Sequence, residues 1–193
     1  MSNMKPFLMA LLPGLTLVFL FSQGQPGVNV DLGLIMDSFL PGDQVSVPVT
    51  LVTRNEPQVA KISLEVAYPS ELISFVEATL GSGAEAAGAE VTTELVGSAD
   101  SAGTETETGP DEPQDLERKI LRLEISASSV IPQGLLLNLT FEMSEQIAIN
   151  HEILLENLKL TAQSLDGQDI RARGLGGAIA PIEAIPACFF YMH

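Results

Sequence analysis

The chain has 193 residues, 46% of them hydrophobic, and a formal net charge of −16. That length holds one domain more comfortably than two, and so acidic a surface repels phosphate backbones, which excludes nucleic acid as the natural partner. The one cysteine, Cys188, leaves no internal disulfide to be made, so the fold must be held by its core alone.

Lys5 precedes an almost wholly apolar run over residues 7–21, interrupted by Pro13-Gly14 and followed by Ser22-Gln23-Gly24. A charged start, an apolar middle and small residues near a cut are the layout of a secretory signal, with cleavage expected after Gly24. An uncleaved anchor is the alternative. Crossing a bilayer takes about 20 apolar residues, and this run is shorter and broken. No cysteine stands directly after it to carry a lipid. Removing Lys5 takes the charge from −16 to about −17. Roughly 170 residues then remain, enough for a self-sufficient core.

Residues 28–34 alternate and predict the first strand. Ser38-Phe39-Leu40-Pro41-Gly42-Asp43 is a turn, because Pro presets φ and Gly accepts positive φ. In residues 44–51 every second side chain is apolar: Val45, Val47, Val49 and Leu51. Successive strand side chains point to opposite faces, so this segment has one buried and one solvated face. Pro48 lacks an N–H and predicts an edge position or a bulge. After Arg54-Asn55-Glu56-Pro57, a third strand is expected over residues 60–68, then a turn at Pro69-Ser70-Glu71-Leu72 and a strand from Ile73 to near Gly81.

Composition shifts between Gly81 and Asp115. A short strand is expected over residues 91–96, and residues 97–115 read as a disordered acidic insertion that buries too little to offset its ordering entropy. It is either a tolerated surface insertion or a regulated or cation-gathering arm. Order resumes at residues 118–125. The longest alternating segment follows Pro132-Gln133-Gly134, with Leu135, Leu137, Leu139, Phe141 and Met143 on one side. Residues 153–155 and 158–160 make a strand pair or one bent strand. Leu165-Asp166-Gly167-Gln168 is a turn, and residues 170–179 form a last strand that Gly174, Gly176 and Gly177 allow to bend. The total is about nine strands and no long amphipathic helix, the grammar of an all-β antiparallel sandwich.

Four pieces in this order resemble the cohesin domain: Pro41-Gly42-Asp43-Gln44-Val45-Ser46-Val47-Pro48-Val49; Val66-Ala67-Tyr68-Pro69-Ser70-Glu71-Leu72-Ile73-Ser74-Phe75; Gly134-Leu135-Leu136-Leu137-Asn138-Leu139-Thr140-Phe141; and Ala162-Gln163-Ser164-Leu165-Asp166-Gly167-Gln168-Asp169-Ile170 with Gly177-Ala178-Ile179. The resemblance spans roughly residues 28–181 and implies a nine-stranded jelly-roll β-sandwich over residues 25–183. It also implies a non-catalytic protein–protein interaction module with an exported, dockerin-like partner, working as a scaffold or surface-assembly component. Cohesin partners dock on one sheet face with no invariant motif, so no contact residues carry over. The acidic insertion and the tail at 184–193 depart from the pattern.

The inventory for chemistry is sparse. His151 and His193 are the only histidines, and neither stands in a motif that pairs it with a nucleophile. No phosphate loop or Cys/His zinc set is present, so no enzyme and no cofactor is expected. Acidic loops offer oxygens suited to calcium without fixing a ligand set. A carbohydrate-binding module remains an alternative, but such modules stack sugars on Trp or Tyr rings. The chain has no Trp, its only Tyr are Tyr68 and Tyr191, and Phe39, Phe75 and Phe141 fit core positions. Asn138-Leu139-Thr140 is a glycosylation sequon placed in a strand. In the tail, Cys188, Phe189, Phe190 and Tyr191 either pack on the sandwich or form a docking or attachment element. Cys188 would then offer an intermolecular disulfide and self-association, as in a structural or adhesive surface subunit. The expected location is secreted, cell-surface or periplasmic.

Overall fold

The computed structural model describes residues 26–99, 117–145 and 152–181. The signal-like segment, residues 100–116, His151 and the tail with Cys188, Phe189, Phe190 and Tyr191 lie outside the described residues. Eleven strands and one short helix follow in order: β1 (Gly27–Leu32), β2 (Leu34–Asp37), β3 (Gln44–Arg54), β4 (Val59–Pro69), β5 (Ile73–Leu80), α1 (Ser82–Ala86), β6 (Ala89–Ala99), β7 (Arg118–Ala127), β8 (Gly134–Met143), β9 (Ile153–Ser164), β10 (Asp169–Leu175) and β11 (Gly177–Pro181).

The strands join in the order β5-β8-β3-β1-β10-β9-β4-β7-β6, with β11 bridging β2 and β9. The β10–β9 junction is only two residue pairs long, Asp169 with Gln163 and Ile170 with Ala162. There the sheet folds over into two layers, β5-β8-β3-β1-β10 and β9-β4-β7-β6. Pairing is antiparallel except for β1 with β10 and β2 with β11, which run parallel and tie the first two described strands to the last two.

The nine expected strands become eleven because two of them are cut at glycines. Gly33 separates β1 from β2, and Gly176 separates β10 from β11. A Cβ added at Gly33 would sit 2.7 Å from the Pro48 ring, so only glycine fits that step. The region between 153 and 164 is one bent strand. Its register with β4 shifts between Glu65 and Val66, which leaves Leu158 as an extra residue.

Three sequence expectations need correction. Of the two positions expected for Pro48, the edge is not found, since β3 lies between β8 and β1, whereas a bulge is: the β3–β8 register shifts just beyond it, between Val49 and Thr50. The Pro48 carbonyl accepts the Gly33 N–H at 2.8 Å. The nitrogen of a strand residue faces the same side as its own carbonyl, so the missing donor points at the break between β1 and β2, where no ladder bond is lost. In β8, Leu135 is 41% exposed and Leu136 is buried. The register with β3 slips between Val49 and Thr50 and reverses the alternation there. Residues 81–99 are more ordered than their composition implies. Ala84 and Ala87 of the α1 turn are buried, and Ala suits a helix. β6 continues to Ala99 through a bulge at Val96 that Gly97, at φ +134°, permits. The acidic insertion therefore begins after a paired strand end.

Between the layers lie Val45, Val47, Val49 and Leu51 of β3 with Leu137, Leu139, Phe141 and Met143 of β8. Ile62, Leu64, Val66 and Tyr68 of β4 and Leu121, Leu123 and Ile125 of β7 meet them from the other layer. Phe141 is central, with its ring 5.4 Å from that of Tyr68 and 6.0 Å from that of Phe75. Such tilted and edge-on pairs add about 0.5–1.5 kcal/mol beyond area burial. Phe39 and Phe75 pack on the core from its margin. Burial raises the Tyr68 phenol above its ordinary range, against a hydrogen bond from the Phe75 backbone.

Candidate protein-binding face

The side chains of β9-β4-β7-β6 that point away from the core form ordered rows fixed by strand register. Gln163, Lys61, Ser126 and Glu90 make one row, and Thr161, Ser63, Glu124 and Thr92 the next. The third is Lys159, Glu65, Arg122 and Glu94. The sequence places each residue on this face because its neighbours, such as Leu64, Leu121 and Leu123, take the buried parity.

Arg122 organises the centre. Its Nη2 and Nε donate to Glu65 Oε1 at 2.9 and 3.1 Å, and its Nη1 reaches Glu94 Oε2 at 3.5 Å. The hydrogen bond to Glu65 is the main reason that the guanidinium holds its proton even above the usual arginine range. Arg118 pairs with Glu156 at 2.6 Å near the end of the same layer. Leu158, lifted by the bulge, adds an exposed apolar side chain beside these charges. With four strands of 10 to 12 residues, the footprint is roughly 600 Å² from strand spacing and rise. That is close to the ~800 Å² that each partner contributes to a standard complex.

The opposite layer presents a different surface around its centre. Gln44, Ser46 and Pro48 of β3 lie beside Glu142, Thr140 and Asn138 of β8, with Ser74, Glu77 and Thr79 of β5 beyond. Asn138 of the sequon is half-buried between Pro48 and Thr79.

Among the described residues no group of three His, Cys, Asp or Glu side chains converges as a metal site would require. A shallow cleft of about 420 Å³ beside the 165–168 turn contains Asp166 and Asp169. Both carboxylates are engaged. Asp166 accepts hydrogen bonds from the Ser164 hydroxyl and from Gln168 Nε2 at 2.8 Å. Asp169 accepts one from Gln163 Nε2 at 3.0 Å. The Ser164 bond chiefly holds the Asp166 carboxyl below the ordinary aspartate range. These bonds hold the turn around Gly167, at φ +80°.

The tail residues Cys188, Phe189, Phe190 and Tyr191 lie outside the described residues. The Glu65–Arg122–Glu94 set was not legible as a site in the sequence. Each residue occupies an ordinary polar position of its strand, and only register brings the three together.

The described residues make a two-layer all-β sandwich whose first and last strands lie side by side. No protein-family model matches the chain, and no curated protein matches it in sequence. Solved structures match its fold. A type I cohesin in a cohesin–dockerin complex from Clostridium thermocellum superposes with a TM-score of 0.57 at 15% identity, covering 81% of this chain and 99% of that one. The sixth cohesin of an Acetivibrio cellulolyticus scaffoldin, crystallised with a dockerin, gives 0.58 at 17% identity, with coverages of 81% and 99%. A non-cellulosomal cohesin from the archaeon Archaeoglobus fulgidus gives 0.53 at 15% identity, covering 86% and 99%. The chain has the cohesin fold.

Proposed function

We propose that the protein is an exported, non-catalytic module that binds another protein through the outer face of β9-β4-β7-β6. Its partner would be dockerin-like and its role that of a scaffold or surface-assembly component. The observation that carries this reading is the cohesin fold over nearly the full length of neighbours solved together with dockerins. Rows of mixed charge with short hydroxyls between them support it, since charged groups set partner choice and register more than raw affinity. The layout of residues 1–24 supports export to the cell surface or beyond.

The test is capture by the immobilised protein from the secretome of the parent organism, beside a panel of purified dockerin domains. Saturable retention of a protein partner, lost when Arg122 is replaced by Glu, is the expected result. Retention of polysaccharide without any protein would overturn it. A second reading, a surface subunit that self-associates, draws on the exposed Leu34, Met36 and Leu154 of β2 and β9. β11 flanks these residues and leads into the segment carrying Cys188. A monomer at all concentrations under oxidising conditions would count against it.

A further inference from the structure

The chain has five arginines. Two, Arg118 and Arg122, form ion pairs on the β9-β4-β7-β6 layer. The other three, Arg54, Arg171 and Arg173, are exposed together on the opposite layer, where none of them forms an ion pair among the described residues. Register puts them there. Gly27 of β1 pairs with Arg54 of β3 on one side and Arg171 of β10 on the other, and Asn29 pairs with Arg173. The inward parity of these strands is taken by Val28 and by Ala172, so the three guanidinium groups share the solvent face. They line a groove of about 380 Å³ floored by Gly27 and Asn29. With no side chain at Gly27, nothing stands between Arg54 and Arg171 in that row.

For a chain of net charge −16, three adjacent unpaired arginines are a local inversion of sign. Arg171 and Arg173 are alternate residues of one strand, about 7 Å apart along it, and Arg54 lies two strand spacings away, about 10 Å. These are backbone spacings, and an extended peptide matches them, because its own alternate side chains repeat at the same ~7 Å and can meet the arginines one by one. Each exposed pair alone contributes little, so affinity would come from two or three engaged together, strengthened by the guanidinium fork. A long polyanion would run beyond the groove onto acidic surface. At physiological ionic strength charges act over about 8 Å, so a short segment sees the three arginines and the one exposed carboxylate next to them, Asp169, which lies beyond Arg171 on the same strand and marks that end of the groove.

We propose that Arg54, Arg171 and Arg173 form a docking groove for an extended acidic peptide segment with carboxylates at alternate positions. It is a second interaction site on the layer opposite the proposed partner face, and it does not depend on the identity of that partner. The test titrates the full chain into a fluorescent, end-blocked peptide, Thr-Glu-Thr-Glu-Thr, at 50 and 300 mM salt. The same titration is run on a variant carrying Glu105→Gln and Glu107→Gln, because the chain's own Glu105-Thr106-Glu107 has the same spacing. Saturable binding to either form is expected, weakened about threefold or more by the higher salt through screening. It should be absent with a glutamine peptide and abolished by Arg171→Glu with Arg173→Glu in a protein of unchanged melting temperature. Binding seen only in the Glu105/Glu107 variant supports the groove and makes its occupant the chain itself. The proposal is overturned by no binding to either form, by equal binding of the glutamine peptide, by binding that survives the double substitution, or by tighter binding of a short sulfated glycan at the same arginines.

Discussion

The two outer surfaces of the sandwich use the same residue type in opposite ways. On β9-β4-β7-β6, Arg122 lies between Glu65 and Glu94 and is neutralised where it stands. On β3-β1-β10, Arg54 and Arg171 flank a glycine, and Arg173 flanks an asparagine. Composition does not separate these cases, since acidic residues outnumber basic ones 25 to 9 in the chain as a whole. Register does. One layer carries acids opposite Arg122, and the other carries small or neutral residues opposite its three arginines. The first surface is therefore internally balanced, and the second is left with charge to offer.

The largest expected effect lies where the two layers meet. Phe141 reaches from β8 to Tyr68 on β4, so Phe141→Ala should cost about 3–5 kcal/mol and loosen both surfaces together. Chemical denaturation reads this, and a loss under 1 kcal/mol would mean that the layers are joined elsewhere. Next comes the contrast itself. Arg122→Glu sets three carboxylates side by side and should lower the melting temperature by about 5 °C, whereas Arg173→Glu should leave it nearly unchanged. Equal losses would erase the distinction between the surfaces.

Burial between the layers makes a further difference at high pH. The folded state raises the Tyr68 phenol, so its contribution to stability is complete below the unfolded value near pH 10. It is lost as pH rises through the folded value. Melting followed from pH 9 to 12 should show this decline, and Tyr68→Phe should flatten part of it. The smallest effect is at the β3–β4 connection, beside Arg54. Glu56 sits at φ +45°, a conformation costly for residues with a Cβ. Glu56→Gly should stabilise by about 0.5–1 kcal/mol, and a destabilisation would show that the Glu56 side chain holds the connection.

Much of the fold could be read from alternation. The inward positions of β3, β4 and β7 are those their apolar period marks, and the ordered motifs of the cohesin resemblance correspond to the fold observed. The failures have a common physical cause. Leu135, Leu158 and Val96 lie at or beside bulges, and a bulge appears only when one strand is laid against another. Pro48 does stand beside such a register shift, but the break that spares its missing N–H belongs to β1 and β2 and could not be read from its own strand. The helix Ser82–Ala86 is too short to show a period. Neither arginine arrangement was legible, because Arg54 and Arg171 are more than a hundred positions apart in the sequence and adjacent only through Gly27.

The central claim is that a protein partner docks on β9-β4-β7-β6. Hydrogen exchange of the full chain, alone and with a dockerin domain that it retains, tests that claim most directly. Slowed exchange confined to β4, β7 and their neighbours β6 and β9 is the predicted result. Protection confined to β5, β8 and β3, or a panel of dockerins from which none is retained, would contradict it.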